Sequence, residues 1–254
     1  AQDRVLASRP YATLLRQMLG NVAGAVAAGA DDVSAIHSLL ATRPENRIQI
    51  VLITGEKGLC GAFNANVLKA SLRFAEQHAA ASISYELVGR KGRDFHRKRR
   101  AQISGEHVGA MASVKYGDAA EIARKLCERF SACEIDAVYV LNNEFKSVMS
   151  QKMTVTRVLP VEVPAGAGGT DYIYEQPPAE ILSSLLPRYV EIEIYRSMLE
   201  SAAAEHAARM TAMDSAQSNA ADIIDRLTLY MNRVRQASIT KEIIEVVSGA
   251  AAAE

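Results

Sequence analysis

Apolar and polar positions follow three different rhythms along this chain. Over residues 1 to about 28, Leu14, Met18 and Val22 recur at a spacing of four, which predicts a helix. Pro10 interrupts it and predicts a kink or a restart, and Gly29 with Asp31 and Asp32 marks its end. From about 43 to 170 the rhythm changes. RIQIVLIT (47–54) is a continuous apolar run, as expected of a parallel strand buried on both faces. Further strands are predicted at 83–88, 103–108, 137–142 and 154–160, with helices at 64–80, 89–100 and 116–132. Strand and helix in alternation predict an α/β layer with a mostly parallel sheet. A linker rich in Gly and Pro follows, VPAGAGGTDYIYEQPP.

The third rhythm is one long helical stretch. After Pro177 and Pro178 the pattern stays helical to about Val247, with a restart predicted at Pro187 and a stop at Gly249. From Arg188 onward about 60 residues carry neither Pro nor Gly, enough for a helix about 90 Å long. Leu199, Met210, Met213, Ala216, Ala220, Ile223, Ile224, Leu227, Met231, Val234, Ile239, Ile243 and Val246 step mostly by three and four, forming a stripe between charged residues. Such a stripe requires a second helix beside it, as in a coiled coil. The N-terminal stretch is the other long helical segment, so the two ends are predicted to pair. The predicted organisation is 1–42 (helical), 43–170 (α/β) and 171–254 (long helix).

Composition narrows the function classes. The 254 residues are 49% hydrophobic and 23% charged, ordinary for a globular chain, and the net charge of zero gives no global field toward nucleic acid or acidic lipid. No apolar run reaches the roughly 18 residues that span a bilayer. Cys60, Cys127 and Cys133 fit no zinc or redox spacing and are expected to be reduced thiols, Cys127 and Cys133 as small packing residues. The histidines at 37, 78, 96, 107 and 206 form no ligand cluster, so no metal or cofactor is expected. The basic run HRKRR (96–100) reads as a solvated helix end with cations favourably placed against the dipole; its alternative is a phosphate or acidic-lipid contact.

The loop GEKGLCG (55–61) is the one phosphate-binding candidate. A P-loop needs Lys and a hydroxyl after its last glycine, and here Ala62 and Phe63 follow Gly61. A dinucleotide fingerprint needs Gly-x-Gly, and here two residues separate Gly55 from Gly58. The glycines are therefore expected to serve a tight turn and the close packing of helix 64–80 on the first strand.

TGEKGLCGAFN (54–64) resembles the S-D-[RK]-G-L-C-G-x-[FYL]-N stretch of the γ subunit of F-type ATP synthases. NEFKSVMSQKMTVTRVLP (143–160) resembles the end of that family's α/β domain. YIYEQPPAEILSSLLPRYVEIEIYRSMLESAAAEHAARMTAM (172–213) and NRVRQASITKEIIEVVSGAAA (232–252) resemble the start and the tip of its C-terminal helix. The resemblance covers nearly the whole chain. That family opens with some thirty more residues, a basic helix against the C-terminal tip, so the resemblance implies that this segment is missing here.

The resemblance implies a Rossmann-like, mostly parallel sheet domain inserted between N-terminal and C-terminal helices paired as an antiparallel coiled coil. It implies a central rotor stalk coupling rotation of a membrane ring to conformational change in catalytic β subunits, without a catalytic site of its own. The implied partners are the α and β subunits of the ring, the ε subunit and the c-ring, at the cytoplasmic face of a bacterial inner membrane. Carried over residue by residue, Arg235, Gln236 and Thr240 match positions meeting a β-subunit loop, and Tyr172 and Glu175 match the foot on the membrane ring. A planar guanidinium suits a carboxylate, and Gln and Thr add further bonds. The alternatives are a nucleotide-binding enzyme with a helical dimerisation arm, and a coiled-coil adaptor unrelated to energy conversion.

Overall fold

The structure, a computed structural model, describes residues 2–27, 37–162 and 176–251. In chain order it contains α1 (Gln2–Ala27), a 3₁₀ turn (Ser38–Leu40), β1 (Arg47–Ile53), α2 (Phe63–Gln77), β2 (Ser82–Val88), α3 (Arg90–Lys98), β3 (Ile103–His107), α4 (Tyr116–Ser131), β4 (Ala137–Phe145), β5 (Gln151–Leu159) and α5 (Pro178–Ala251). By compactness it falls into two units, Ala1–Met210 and Thr211–Glu254.

In the first unit the five strands lie in the order β3-β2-β1-β4-β5. The pairs β1–β2, β1–β4 and β2–β3 are parallel, and β5 joins β4 antiparallel at the edge. The unbroken apolar run of β1 is explained by its place: Ile48 stands between Ile83 of β2 and Ala137 of β4, and six of its seven residues are buried. Alternation then splits the core. Ile48, Ile50 and Leu52 face Val67 and Phe74 of α2 on one side, while Val51 and Ile53 join α1, α4 and α5 on the other. The result is three layers, with α2 and α3 on one face of the sheet and α4 with the helix pair α1–α5 on the other.

Gln49 and Glu86 are among the polar side chains buried within this sheet, and both have partners. Gln49 Nε2 donates to Glu86 Oε2 at 3.0 Å, and His107 Nε2 lies 2.6 Å from Glu86 Oε1. Arg129 of α4 donates to Gln49 Oε1. At the start of β1 the Arg47 guanidinium donates to Asp136 Oδ1 at 2.7 Å, and its backbone N–H donates to Oδ2 at 3.0 Å. The Arg47 hydrogen bond holds the Asp136 carboxyl below the usual carboxylate range.

Several sequence expectations are corrected. The inward face of α1 carries Leu15, Leu19, Val22 and Val26, whereas Leu14 and Met18 are 55% and 45% exposed. The helical period holds and Val22 is buried, but Leu15 and Leu19 turn inward in place of their neighbours Leu14 and Met18. Pro10 neither ends nor restarts α1, and Pro187 does not restart α5. In each case the carbonyl four residues back, on Leu6 or Ser183, belongs to an exposed residue, so loss of the helical donor strands no buried acceptor. Gly249 lies within α5 rather than ending it. Cys133 is exposed rather than packed, whereas the half-buried Cys127 does pack against the core; the fully buried thiol is Cys60. Gly29 and its following aspartates fall outside the described residues.

Candidate functional site

The glycine loop is built by its neighbours rather than for a ligand. Asn64, at the start of α2, accepts the Gly55 N–H on Oδ1 at 2.9 Å and donates from Nδ2 to the Lys57 carbonyl at 3.3 Å. Glu56 accepts the backbone N–H groups of Arg90 and Gly109 at 3.2 and 2.7 Å. An acid thus caps the N-terminus of α3, where the helix dipole favours it. The turn does need glycine at Gly61, whose φ is 55°. Gly55 has a different reason: a Cβ there would lie 2.8 Å from the carboxyl carbon of Glu205. The close approach is made by α5, not by α2 as the sequence suggested.

This placement bears on nucleotide binding. Open α/β sheets take ligands outside the carboxyl ends of their strands, where the strand order reverses. Here that point lies between β1 and β4, and α5 fills it. Glu205 is against Gly55 after β1, and Glu200 accepts the N–H of Phe145, the last residue of β4, at 2.9 Å. Both acids are buried, at 7% and 1% exposure. A phosphate entering this crevice would meet two carboxylates in place of a cluster of free donors.

Glu200 also ties the two helices. Arg9 of α1 forks onto it, with Nε 3.0 Å from Oε1 and a terminal nitrogen 3.2 Å from Oε2. The same guanidinium donates to the Phe145 carbonyl at 2.7 Å. Its hydrogen bond to Glu200 pushes the Arg9 pKa up from its ordinary value. Seven residues along each helix, Arg16 reaches Glu193 at 3.1 Å, and Arg196 closes on the same acid at 2.7 Å. The repeat of seven in opposite chain directions marks an antiparallel pair in heptad register. The signal is present in the sequence as arginines at 9 and 16 against glutamates at 193 and 200, a spacing of seven that the apolar period alone does not reveal.

The second unit is helical as far as it is described, and its large apolar side chains are exposed. At a helix's rotation per residue, Ile223, Ile224, Leu227, Tyr230, Met231 and Val234 fall within an arc of about 120°, with Leu229 outside it. Arg235, Gln236 and Thr240 are all exposed, and Gln236 lies roughly opposite the middle of that arc. These three predicted residues thus share one stretch of α5. Tyr172 and Glu175 lie outside the described residues.

The basic run is not wholly solvated. His96 is 1% exposed, its Nε2 3.3 Å from Ser71 Oγ and its ring 4.2 Å from that of Tyr85. Burial, helped by Arg99, lowers its pKa from 6.5 to about 4. Arg97 forks onto Glu106 at 2.7 and 2.6 Å, while Lys98, Arg99 and Arg100 are exposed. Among the described residues no group of three His, Cys, Asp or Glu side chains could hold a metal ion, and no helix is long and apolar enough to cross a membrane.

A parallel-dominated sheet set against a pair of antiparallel helices defines the class of the first unit, an α/β domain with an antiparallel helix pair on one face. The family model described as ATP synthase matches residues 1–253. The ATP synthase gamma chain of Solibacter usitatus is 65% identical over the whole chain and 88% of its own length. That of Pelotomaculum thermopropionicum is 48% identical with the same coverage. Among solved structures, a chain of the Euglena gracilis mitochondrial ATP synthase OSCP/F1/c-ring assembly aligns with TM-score 0.61 at 15% identity, covering 99% of this chain and 92% of that one. A chain of the Tetrahymena thermophila mitochondrial central stalk and c-ring aligns with TM-score 0.56 at 20% identity, covering 82% of this chain and 99% of that one. At these identities the structural likeness concerns the fold. The chain belongs to the ATP synthase gamma-chain family. The likenesses favour this reading over the nucleotide-binding alternative.

Proposed function

We propose that this chain is the rotating shaft of a proton-translocating ATP synthase, coupling a turning membrane ring to conformational change in the catalytic β subunits. It holds no catalytic site of its own. The observation carrying this reading is the exposed stretch of α5, where Ile223, Ile224, Leu227, Met231 and Val234 leave one arc without cover. An apolar run of that length calls for surrounding protein. The α and β subunits of a ring would supply it. A shaft whose sides differ binds three conformers of one subunit unequally, and such a difference in affinity is what shifts a conformational equilibrium.

Arg235, Gln236 and Thr240 are the contacts to a β-subunit loop, the guanidinium fork pairing with a carboxylate. Tyr172 and Glu175 belong to the foot that grips the c-ring, beside the ε subunit. The foot faces the cytoplasmic side of a bacterial inner membrane, consistent with bacterial relatives such as the Solibacter and Pelotomaculum chains. The test is a reconstituted complex carrying Arg235→Ala and Gln236→Ala. ATP turnover and torque should each fall at least ~3-fold, as expected when an arginine anchor is removed from an interface. Unchanged turnover and torque would remove these residues from the contact.

A further inference from the structure

The apolar contacts that hold α1 and α5 against the sheet are numerous, but hydrophobic adhesion has no preferred direction about a helix axis. A shaft turned through its α/β layer needs something that fixes the azimuth of both helices relative to that layer. Arg9, Glu200 and the backbone of Phe145 form such a group. Glu200 Oε2 accepts the Phe145 N–H at 2.9 Å, Arg9 donates to the Phe145 carbonyl at 2.7 Å, and the Arg9 fork closes on both oxygens of Glu200. The bonds tie α1, α5 and the end of β4 into one closed unit. A bidentate, charge-assisted pair is directional, and with its Glu200 end buried it is screened less than a fully exposed pair. The tie one heptad away, Arg16 with Glu193, links the helices to each other but not to a strand.

We infer that Glu200, held by Arg9 and the Phe145 amide, is the positioning residue through which the α/β layer passes rotation to the helix pair. The inference rests on the shaft reading above. Glu200 touches no reacting atom; it acts by keeping the helices from turning against the sheet under load.

The test uses the assembled, membrane-reconstituted complex with Glu200→Gln, Arg9→Gln, the double variant R9Q/E200Q, and Arg16→Gln. Proton pumping per ATP hydrolysed and the torsional stiffness of the rotor are read alongside the melting temperature. In each of the two single variants of the knot, pumping per ATP and stiffness should fall at least ~3-fold, and the double variant should be no worse than the poorer single one, since both break the same unit. R16Q should keep its coupling while losing stability. A purely structural role would lower melting temperature across all variants and leave pumping per ATP at the wild-type level, which would overturn the inference. So would an equal loss of coupling in R16Q. Arg9 is 39% exposed at its side chain, so R9Q keeps the test open if E200Q fails to assemble. A wild-type complex that hydrolyses ATP without any rotation of this chain would instead overturn the shaft reading itself.

Discussion

Gly55 and Glu205 stand so close that a methyl group on the glycine would come within 2.8 Å of the glutamate's carboxyl carbon. A loop with the look of a phosphate cradle is thereby occupied by a carboxylate of its own chain. Gly55→Ala should destabilise the protein by about 1–2 kcal/mol, because Glu205 is buried and must shift to make room. In the double variant G55A/E205A the two effects should be non-additive by at least ~1 kcal/mol, measured by chemical denaturation. Additive effects would mean the two residues do not meet.

The same contact makes nucleotide binding testable. Calorimetric titration of the purified chain with ATP or NAD should give no saturable heat. Tight binding of either would restore the enzyme reading and remove the argument from the filled crevice.

Gly89 carries a different constraint. Its φ is +96°, and a Cβ would fall 2.1 Å from the Thr54 carbonyl oxygen, which belongs to backbone and cannot swing away. Gly89→Ala should cost more than ~3 kcal/mol, combining backbone strain with displacement of the chain after β1. A loss below ~1 kcal/mol would contradict the geometry.

His96 predicts a pH dependence. Its folded pKa, about 4, lies below the ordinary 6.5, so between these values the unfolded chain binds a proton that the folded chain does not. Stability from this group is full above about 6.5 and is lost as pH falls toward 4, about 3 kcal/mol across the window. His96→Gln, which does not titrate, should flatten that part of the stability profile measured by denaturation at several pH values. An unchanged slope would assign the dependence to other groups.

Legibility in the sequence followed how strongly one force dominated each element. The run 47–54 had a single explanation because both faces of β1 are buried, and α4 announced its face through Ile122, Ala123, Leu126 and Phe130. In α1 the residues Leu14 and Leu15 are adjacent, so the period fixes a helix without saying which leucine turns inward; the packing of α5 decides for Leu15 and Leu19. Pro187 read as a break because proline removes a donor, but that loss is small where the freed carbonyl is solvated. The buried glutamates were hidden for a related reason. Glu193, Glu200 and Glu205 look like solvent-facing helix charges until arginines and a strand end are placed beside them. The tip residues Arg235, Gln236 and Thr240 came from resemblance, since an exposed helix gives them no distinguishing partner within the chain.

The central claim, that this chain is a turning shaft, is tested most directly by watching it turn. Cys133 is an exposed thiol on the α/β layer, whereas Cys60 is buried and Cys127 half-buried, so a bead can be attached there selectively. With the catalytic ring fixed to a surface and ATP supplied, the bead should revolve in one direction, at a rate that follows ATP turnover. A bead that stays still while the ring hydrolyses ATP would contradict the account.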